Sequence, residues 1–335
     1  MIFAVTGANG FLGVHIIHHL LIQGHEVKAI CRSTSSFSEF DRIRINYDLD
    51  EKIYQKLQWK VCDLYDMVGL EEVFSSSDYV VHAAGVISYH KADKQKLIRI
   101  NQQYTANVVN AALAVGVKKL LYCSSIAAIS KNNNNDLVTE DSVWSSEFPH
   151  SYYGLSKHLG EFELWRAKEE GLDVVVVNPG IILGFGDWHK GSNQLFKNAY
   201  RQFIFYSKGV TGFVGVEDVA IMIEKLCLSS INGERFILVS ENMSFKEVGQ
   251  MMAEEFERRS PFIEVKGILY RLIYGLVSLK ELMGVKGMLS RETVRSSVSK
   301  NQFSNAKVTQ ALDIKFSPIS HVIKKSCEQY KKSLS

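Results

Sequence analysis

The sequence predicts an α/β protein built on a doubly wound parallel sheet. Short β-branched runs alternate with longer helical patterns through the first half of the chain, and Thr6-Gly7-Ala8-Asn9-Gly10-Phe11-Leu12-Gly13 joins the first run to the first helix. At 335 residues the chain is also long enough to bury such a core without disulfide or metal staples. A content of 46% hydrophobic and 22% charged residues, with 4 prolines, is that of a soluble globular protein and excludes collagenous, disordered and membrane-spanning classes.

The first strand is read from Ile2 to Thr6, and a helix from Gly10 to Gln23 places Phe11, Leu12, Ile16, Leu20 and Leu21 on one face. Further strands are expected over Glu26 to Cys31, Leu57 to Cys62, Tyr79 to His82, Lys119 to Cys123 and Asp173 to Asn178. Helices near 67–74, 95–115 and 153–170 fill most of the gaps. Beyond Asn178 the pattern turns irregular, with a Gly-rich loop, a helix around Leu195 to Phe203, short pieces near Val210 to Val219 and a strand from Phe236 to Ser240. Ser244-Phe245-Lys246-Glu247 matches a capping box, and Phe245, Val248, Met252 and Phe256 continue an apolar helix face behind it. Asn132 to Asn135 read as a surface turn.

The formal charge of +3, from 39 basic and 36 acidic residues, is too nearly balanced to imply a nucleic-acid partner. The tail from Arg291 onward is locally basic and reads as a solvated helix face. Cys31, Cys62, Cys123, Cys227 and Cys327 are scattered without a C-x-x-C pair, which fits reduced structural thiols and predicts no metal site. The opening residues lack the charged n-region and apolar length of a secretory signal, so a cytoplasmic address is expected. Gly267 to Gly284 is interrupted by Arg271, Lys280 and Glu281, so it reads as an amphipathic helix of the globule and not as a membrane span.

Glycines three apart between a strand and an amphipathic helix let the backbone turn tightly, approach a pyrophosphate and pack helix on sheet, with the helix N-terminus facing the phosphates. Gly7, Asn9, Gly10, Phe11, Leu12 and Gly13 are therefore candidate dinucleotide-binding residues. The second strand ends Cys31-Arg32-Ser33, with no Asp or Glu to hold two ribose hydroxyls. Arg32 instead suits a 2′-phosphate, so NADP(H) is favoured and NAD(H) remains possible; Asp63 could hydrogen-bond the adenine. Tyr153-Gly154-Leu155-Ser156-Lys157 sets a phenol and an ammonium one helical turn apart, where the cation can stabilise a phenolate whose pKa is ordinarily about 10.

These residues resemble the short-chain dehydrogenase/reductase family in its extended, NAD-dependent epimerase/dehydratase branch, which includes sugar-nucleotide epimerases, dihydroflavonol reductases and 3β-hydroxysteroid dehydrogenases. The likeness covers most of the chain. It rests on Thr6 to Gly13, Asp63-Leu64, His82-Ala83-Ala84-Gly85, Asn101, Tyr122-Cys123-Ser124-Ser125, Tyr153 with Lys157, Asn178-Pro179-Gly180 and Val216-Glu217-Asp218-Val219. It implies a Rossmann domain over 1–180 with a returning segment near 210–240, and a smaller, interleaved substrate lobe from 181–209 and 241–335. It further implies that Ser125 hydrogen-bonds the substrate oxygen, Tyr153 exchanges its proton, and Lys157 holds the nicotinamide ribose and tunes Tyr153. Ser124 looks structural. Leu64, Ala83, Ala84, Gly85, Pro179 and Gly180 would also line the cofactor. His82, tempting as a base, sits at a buried strand end where a histidine is more often packed. Asn101 would bridge strands, hold a water or cap a helix.

The reaction implied is hydride transfer between nicotinamide and a carbonyl or alcohol carbon of a small molecule, with Tyr153 moving the proton. Ser125 is followed by Ile126-Ala127-Ala128, without the acidic pair of the sugar-nucleotide dehydratases, so dehydration is disfavoured. Arg32 favours an NADPH reductase, whereas the Y-G-x-S-K form favours a sugar-nucleotide epimerase with retained NAD; a non-catalytic NADP-binding sensor or scaffold is the third reading. Phe185, Trp188, His189, Phe203, Phe205 and Tyr206 offer aromatic walls for a substrate, Trp188 being the preferred contact. The helices near 95–115 and 153–170 resemble the pair through which many family members dimerise, so a homodimer sharing Leu159, Phe162 and Leu164 is expected.

Overall fold

A computed structural model describes residues 1–32, 37–47, 50–130, 137–145, 150–284 and 289–334. The expected turn at Asn132 to Asn135, and Ser33, lie outside the described residues. Strands β1 (Ile2–Thr6), β2 (Glu26–Cys31), β3 (Leu57–Val61), β4 (Tyr79–His82), β5 (Lys119–Cys123) and β6 (Val174–Pro179) alternate with helices α1 (Phe11–Ile22), α2 (Ser38–Tyr47), α3 (Met67–Phe74), α4 (Lys94–Val115) and α5 (Tyr152–Glu169). The chain continues through β7 (Ile181–Leu183), α6 (Gln194–Tyr200), β8 (Phe205–Tyr206), β9 (Val210–Gly215), α7 (Val216–Leu228), β10 (Glu234–Leu238) and β11 (Glu241–Ser244). It ends with α8 (Phe245–Glu255), β12 (Ile263–Glu264), α9 (Gly267–Leu282), α10 (Arg291–Val298), α11 (Ala306–Leu312) and α12 (Ile319–Leu334).

Among the described residues the main sheet has seven parallel strands in the order β10-β6-β5-β4-β1-β2-β3. Its central strands read as unbroken apolar runs, such as Val174-Val175-Val176-Val177, because helices cover both faces. One layer packs α1, α7, α8 and α12 side chains against the sheet, and the other packs α3, α4 and α5. The strand order reverses between β1 and β4, so the crevice at their C-terminal ends is the topological switch point where ligands of such sheets bind. Smaller pairings, β11-β9-β7 and β12-β8, lie outside this sheet.

Several expectations need correction. The short pieces near Val210 to Val219 are a strand running straight into the helix α7, with Gly215 serving as both strand end and N-cap. The strand expected over Phe236 to Ser240 sits two residues earlier. Helix α2, polar on average, shows little of its burial in sequence although Phe40 and Ile43 are core. The Gly267 to Gly284 helix forms, but its apolar stripe points outward. All five cysteines are free and buried, and no described helix is long and apolar enough to cross a membrane.

Candidate active site

The loop after β1 is held by close approaches that only glycine allows. Gly7 has φ +68°, and a Cβ there would stand 2.7 Å from the Ala84 backbone; one on Gly13 would stand 2.1 Å from the Gly7 carbonyl oxygen. The loop is thus pressed against the end of β4, and Thr6 Oγ1 accepts the Ala84 N–H at 3.3 Å. Helix α1 starts behind Gly10 with no side-chain cap, which leaves its first-turn amides directed at the switch point. Phe11 and Leu12 lie half-buried on that turn, and Leu12 packs on the core. Asn9 is half-buried in the loop.

At the next strand ends, Arg32 is exposed and near enough to Tyr104 to lower its pKa against the rise caused by burial, and the Tyr104 ring meets Tyr65 edge-on at 5.0 Å. Asp63 is exposed and accepts the Tyr65 N–H at 2.9 Å, while Leu64 is buried beneath it. Arg32 and Asp63 therefore share one corner of the crevice. Pro179 is buried at the end of β6, and Gly180 continues it with its N–H on Leu238 O at 3.0 Å.

Helix α5 brings the proton-transfer candidates under the end of β5. Ser151 caps it by accepting the Gly154 N–H at 2.8 Å, and Gly154 must be glycine because a Cβ would sit 2.2 Å from Ala127 O. The Ser125 hydroxyl acts on the Tyr153 phenol, favouring its ionised form, and accepts the Ala127 N–H at 3.2 Å. The Lys157 ammonium donates to Cys123 O at 2.8 Å, lies 4.7 Å from the centre of the Tyr122 ring, and stands 3.1 Å from where a Gly85 Cβ would be. Ser125, Tyr153, Lys157, Ala83 to Gly85 and the glycine loop thus border one crevice.

Burial dominates the electrostatics here. It pushes the Tyr153 phenol above its ordinary value, with Tyr89 adding to the rise and Ser125 opposing it. The sequence-based expectation was the reverse, a phenol lowered by Lys157; the cost of a buried phenolate outweighs a cation engaged with Cys123 O. Burial also lowers Lys157 to about 8, against the pull of Cys123 and Glu161. His82 falls to about 3 through burial and then Lys157. Its Nδ1 lies 2.7 Å from Thr6 Oγ1, its Nε2 3.2 Å from Thr105 Oγ1, and its ring stacks on Tyr122, so it is a packed neutral histidine.

Asn101 is not a cap: it lies within α4, where its amide donates to Val86 O and Ser156 Oγ, both at 2.9 Å, and its carbonyl accepts the Val86 N–H at 2.8 Å. It ties the segment after Gly85 to the helix carrying Tyr153. Of the aromatic candidates, Phe185 is fully core, and Trp188 stacks on Tyr330 at 5.4 Å and meets Tyr200 at 5.5 Å. Among the described residues, neither makes a ring contact or a hydrogen bond with Ser125, Tyr153 or Lys157.

Sequence reasoning missed three residues. Glu161, buried one turn after Lys157, accepts from Ser124 Oγ at 2.5 Å and Asn178 Nδ2 at 2.7 Å and pairs with Arg235 at 3.4 Å. Its spacing of four from Lys157 was the available signal. Tyr89 meets the Tyr153 ring edge-on at 5.8 Å. Glu292 binds the start of α5 and, with Tyr89, Tyr152, Tyr274 and Arg295, lines a cleft of about 320 Å³ beside Tyr153.

A parallel sheet with a glycine cradle at its switch point, beside a Ser-Tyr-Lys group, defines an NAD(P)-dependent enzyme of the extended short-chain dehydrogenase/reductase type. The chain belongs to the NAD dependent epimerase/dehydratase family, whose model matches residues 3–218. It is 26% identical over 280 residues to sterol demethylase protein B of Methylococcus capsulatus, covering 83% of this chain and 80% of that protein. It is 27% identical to anthocyanidin reductase of Arabidopsis thaliana, covering 76% of this chain and 80% of the relative. The solved UDP-glucose 4-epimerase of Thermotoga maritima shares the fold at a TM-score of 0.78 over all of both chains, with 18% identity.

Proposed function

We propose that the chain is an NADP(H)-dependent oxidoreductase acting on a carbonyl or alcohol carbon of a small molecule, with Tyr153 as proton donor and acceptor. The observation that carries this reading is the placement of the buried Tyr153 phenol one helical turn from the Lys157 ammonium, with Ser125 near enough to oppose the rise in its pKa. The glycine cradle, the uncapped α1 N-terminus and the exposed Arg32 fit a dinucleotide bearing a 2′-phosphate. The bound nicotinamide would supply the hydride chemistry.

The protein's own part is geometry and proton supply. Ser125 would orient the substrate oxygen, and Tyr153, kept protonated by burial, would give its proton to that oxygen as negative charge develops. Lys157, cationic at neutral pH, would hold the nicotinamide ribose and favour the phenolate in the oxidative direction. Residues 181–209 and 241–335 would supply the substrate lobe. The exposed Phe162 on α5 would belong to a homodimer contact with α4, Leu164 being core.

A second reading, a sugar-nucleotide epimerase with retained NAD, is favoured by the Tyr153-Gly154-Leu155-Ser156-Lys157 form. Supplying NADPH or NADH with a panel of carbonyl compounds and sugar nucleotides separates the two. Net consumption of NADPH supports the reductase, and epimer interconversion without net consumption supports the alternative. Cofactor binding with no turnover of either kind would leave a binding protein and reject both.

A further inference from the structure

Helix α9 presents its apolar side to the outside. Ile268, Leu272, Leu276, Leu279 and Leu282, with Met283 just after the helix, are between 53% and 84% exposed, and the one buried residue of the helix is Val277. At 3.6 residues per turn these six side chains fall within one arc of about 120°. Arg271 and Lys280, both exposed, stand just beyond its two opposite edges. The helix has a single acid, Glu281, which is turned inward and paired with Arg291 at 2.9 Å. Upstream, Phe262 is exposed with the Arg259 guanidinium over its ring at 4.5 Å. An ordinary surface helix shows the opposite arrangement, and an exposed aliphatic patch of this extent marks an interaction surface.

We propose that α9 docks the protein onto an anionic lipid surface, lying in the plane of the interface with its apolar arc in the acyl boundary and Arg271 and Lys280 reaching to the headgroups. The charge pattern selects this occupant. Cations at both edges of an apolar arc can bury their stems and keep their charges at the phosphate level. A two-fold contact between copies of α9 would bring the same cations together with no acid from either helix to offset them. Sixteen residues rise about 24 Å, short of the roughly 30 Å hydrocarbon core, so the helix lies on the bilayer and does not cross it. The inner side of α9 contributes Tyr274 and Glu281 to the cleft beside Tyr153, so docking would hold that cleft at the lipid surface. The proposal stands independently of the reaction assigned above.

The test is co-sedimentation of the full chain with vesicles of phosphatidylcholine alone, or of phosphatidylcholine and phosphatidylglycerol at roughly two to one. Retention on the anionic vesicles is expected, about tenfold weaker on the neutral ones and weakening as salt is raised. Leu272→Glu with Leu276→Glu should lower retention by about tenfold or more, while circular dichroism and the melting temperature stay at wild-type values because both positions are exposed. Arg271→Gln with Lys280→Gln keeps the apolar arc and should remove the preference for anionic vesicles. Failure of the wild type to sediment with either vesicle overturns the proposal. So does self-association in lipid-free buffer that Leu272→Glu with Leu276→Glu abolishes, since the face would then belong to a second copy.

Discussion

The Tyr152 N–H donates to both carboxylate oxygens of Glu292, at 3.1 and 3.3 Å, so a side chain from α10 closes the first turn of α5 immediately before Tyr153. A carboxylate is well placed at that positive end of the helix. Burial nevertheless pushes Glu292 from 4.5 up to about 7, against the Tyr152 amide and Arg295, while Glu281 adds to the rise.

This relationship predicts a pH dependence of stability. Between 4.5 and about 7 the folded state holds the Glu292 proton more firmly than the unfolded state, so stability falls as pH rises through that window. Glu292→Gln keeps an oxygen for the Tyr152 N–H and does not titrate, so its melting temperature should fall less across the same range. Parallel melting curves for the two proteins would reject Glu292 as the titrating group.

Removing the Tyr153 hydroxyl should abolish turnover and leave cofactor affinity nearly intact, since that oxygen matters when a proton moves. Lys157→Ala should damage both, and Ser125→Ala should cost roughly 2 to 4 kcal/mol of transition-state stabilisation. Steady-state kinetics paired with cofactor titration check all three. If Tyr153→Phe keeps more than about a tenth of wild-type turnover, a loss under about 1.4 kcal/mol, the proton travels by another route.

Arg32 is expected to set the preference between cofactors. Arg32→Ala should weaken NADPH binding by about one to two decades, the loss of a charged contact to phosphate, and leave NADH binding little changed. Calorimetric titration of both cofactors measures this. Equal affinity of the wild type for NADPH and NADH would remove the argument.

Glu161 should matter to stability more than its distance from solvent suggests. Glu161→Ala would take the acceptor from Ser124 and one of the two acceptors of the Asn178 amide, and leave Arg235 short of its counter-charge, costing about 3 kcal/mol. Glu161→Gln, which can still accept from both polar groups, should cost less. Urea denaturation provides the comparison, and a loss below about 1 kcal/mol for Glu161→Ala would mean that the network contributes little.

Local chemistry made much of the fold and the crevice legible in the sequence. The central strands announce themselves as unbroken apolar runs, and the glycines at 7, 10 and 13 announce a loop that a side chain would obstruct. Tyr153 and Lys157 sit at helical spacing, so their shared face follows from the pitch of a helix. Less was visible where no local signal exists: α7 begins with no loop after β9, and α2 buries Phe40 and Ile43 within a polar stretch.

Residue types and spacings were enough for the parallel sheet, the glycine loop and the amphipathic character of residues 267–284, because each depends on neighbours along the chain. Folding settled which distant groups meet: Glu161 with Arg235 across 74 residues, Tyr152 with Glu292 across 140, and the outward turn of α9. It also reversed the expected direction of the Tyr153 shift, since desolvation depends on everything packed around the phenol, whereas the spacing to Lys157 reports a single neighbour.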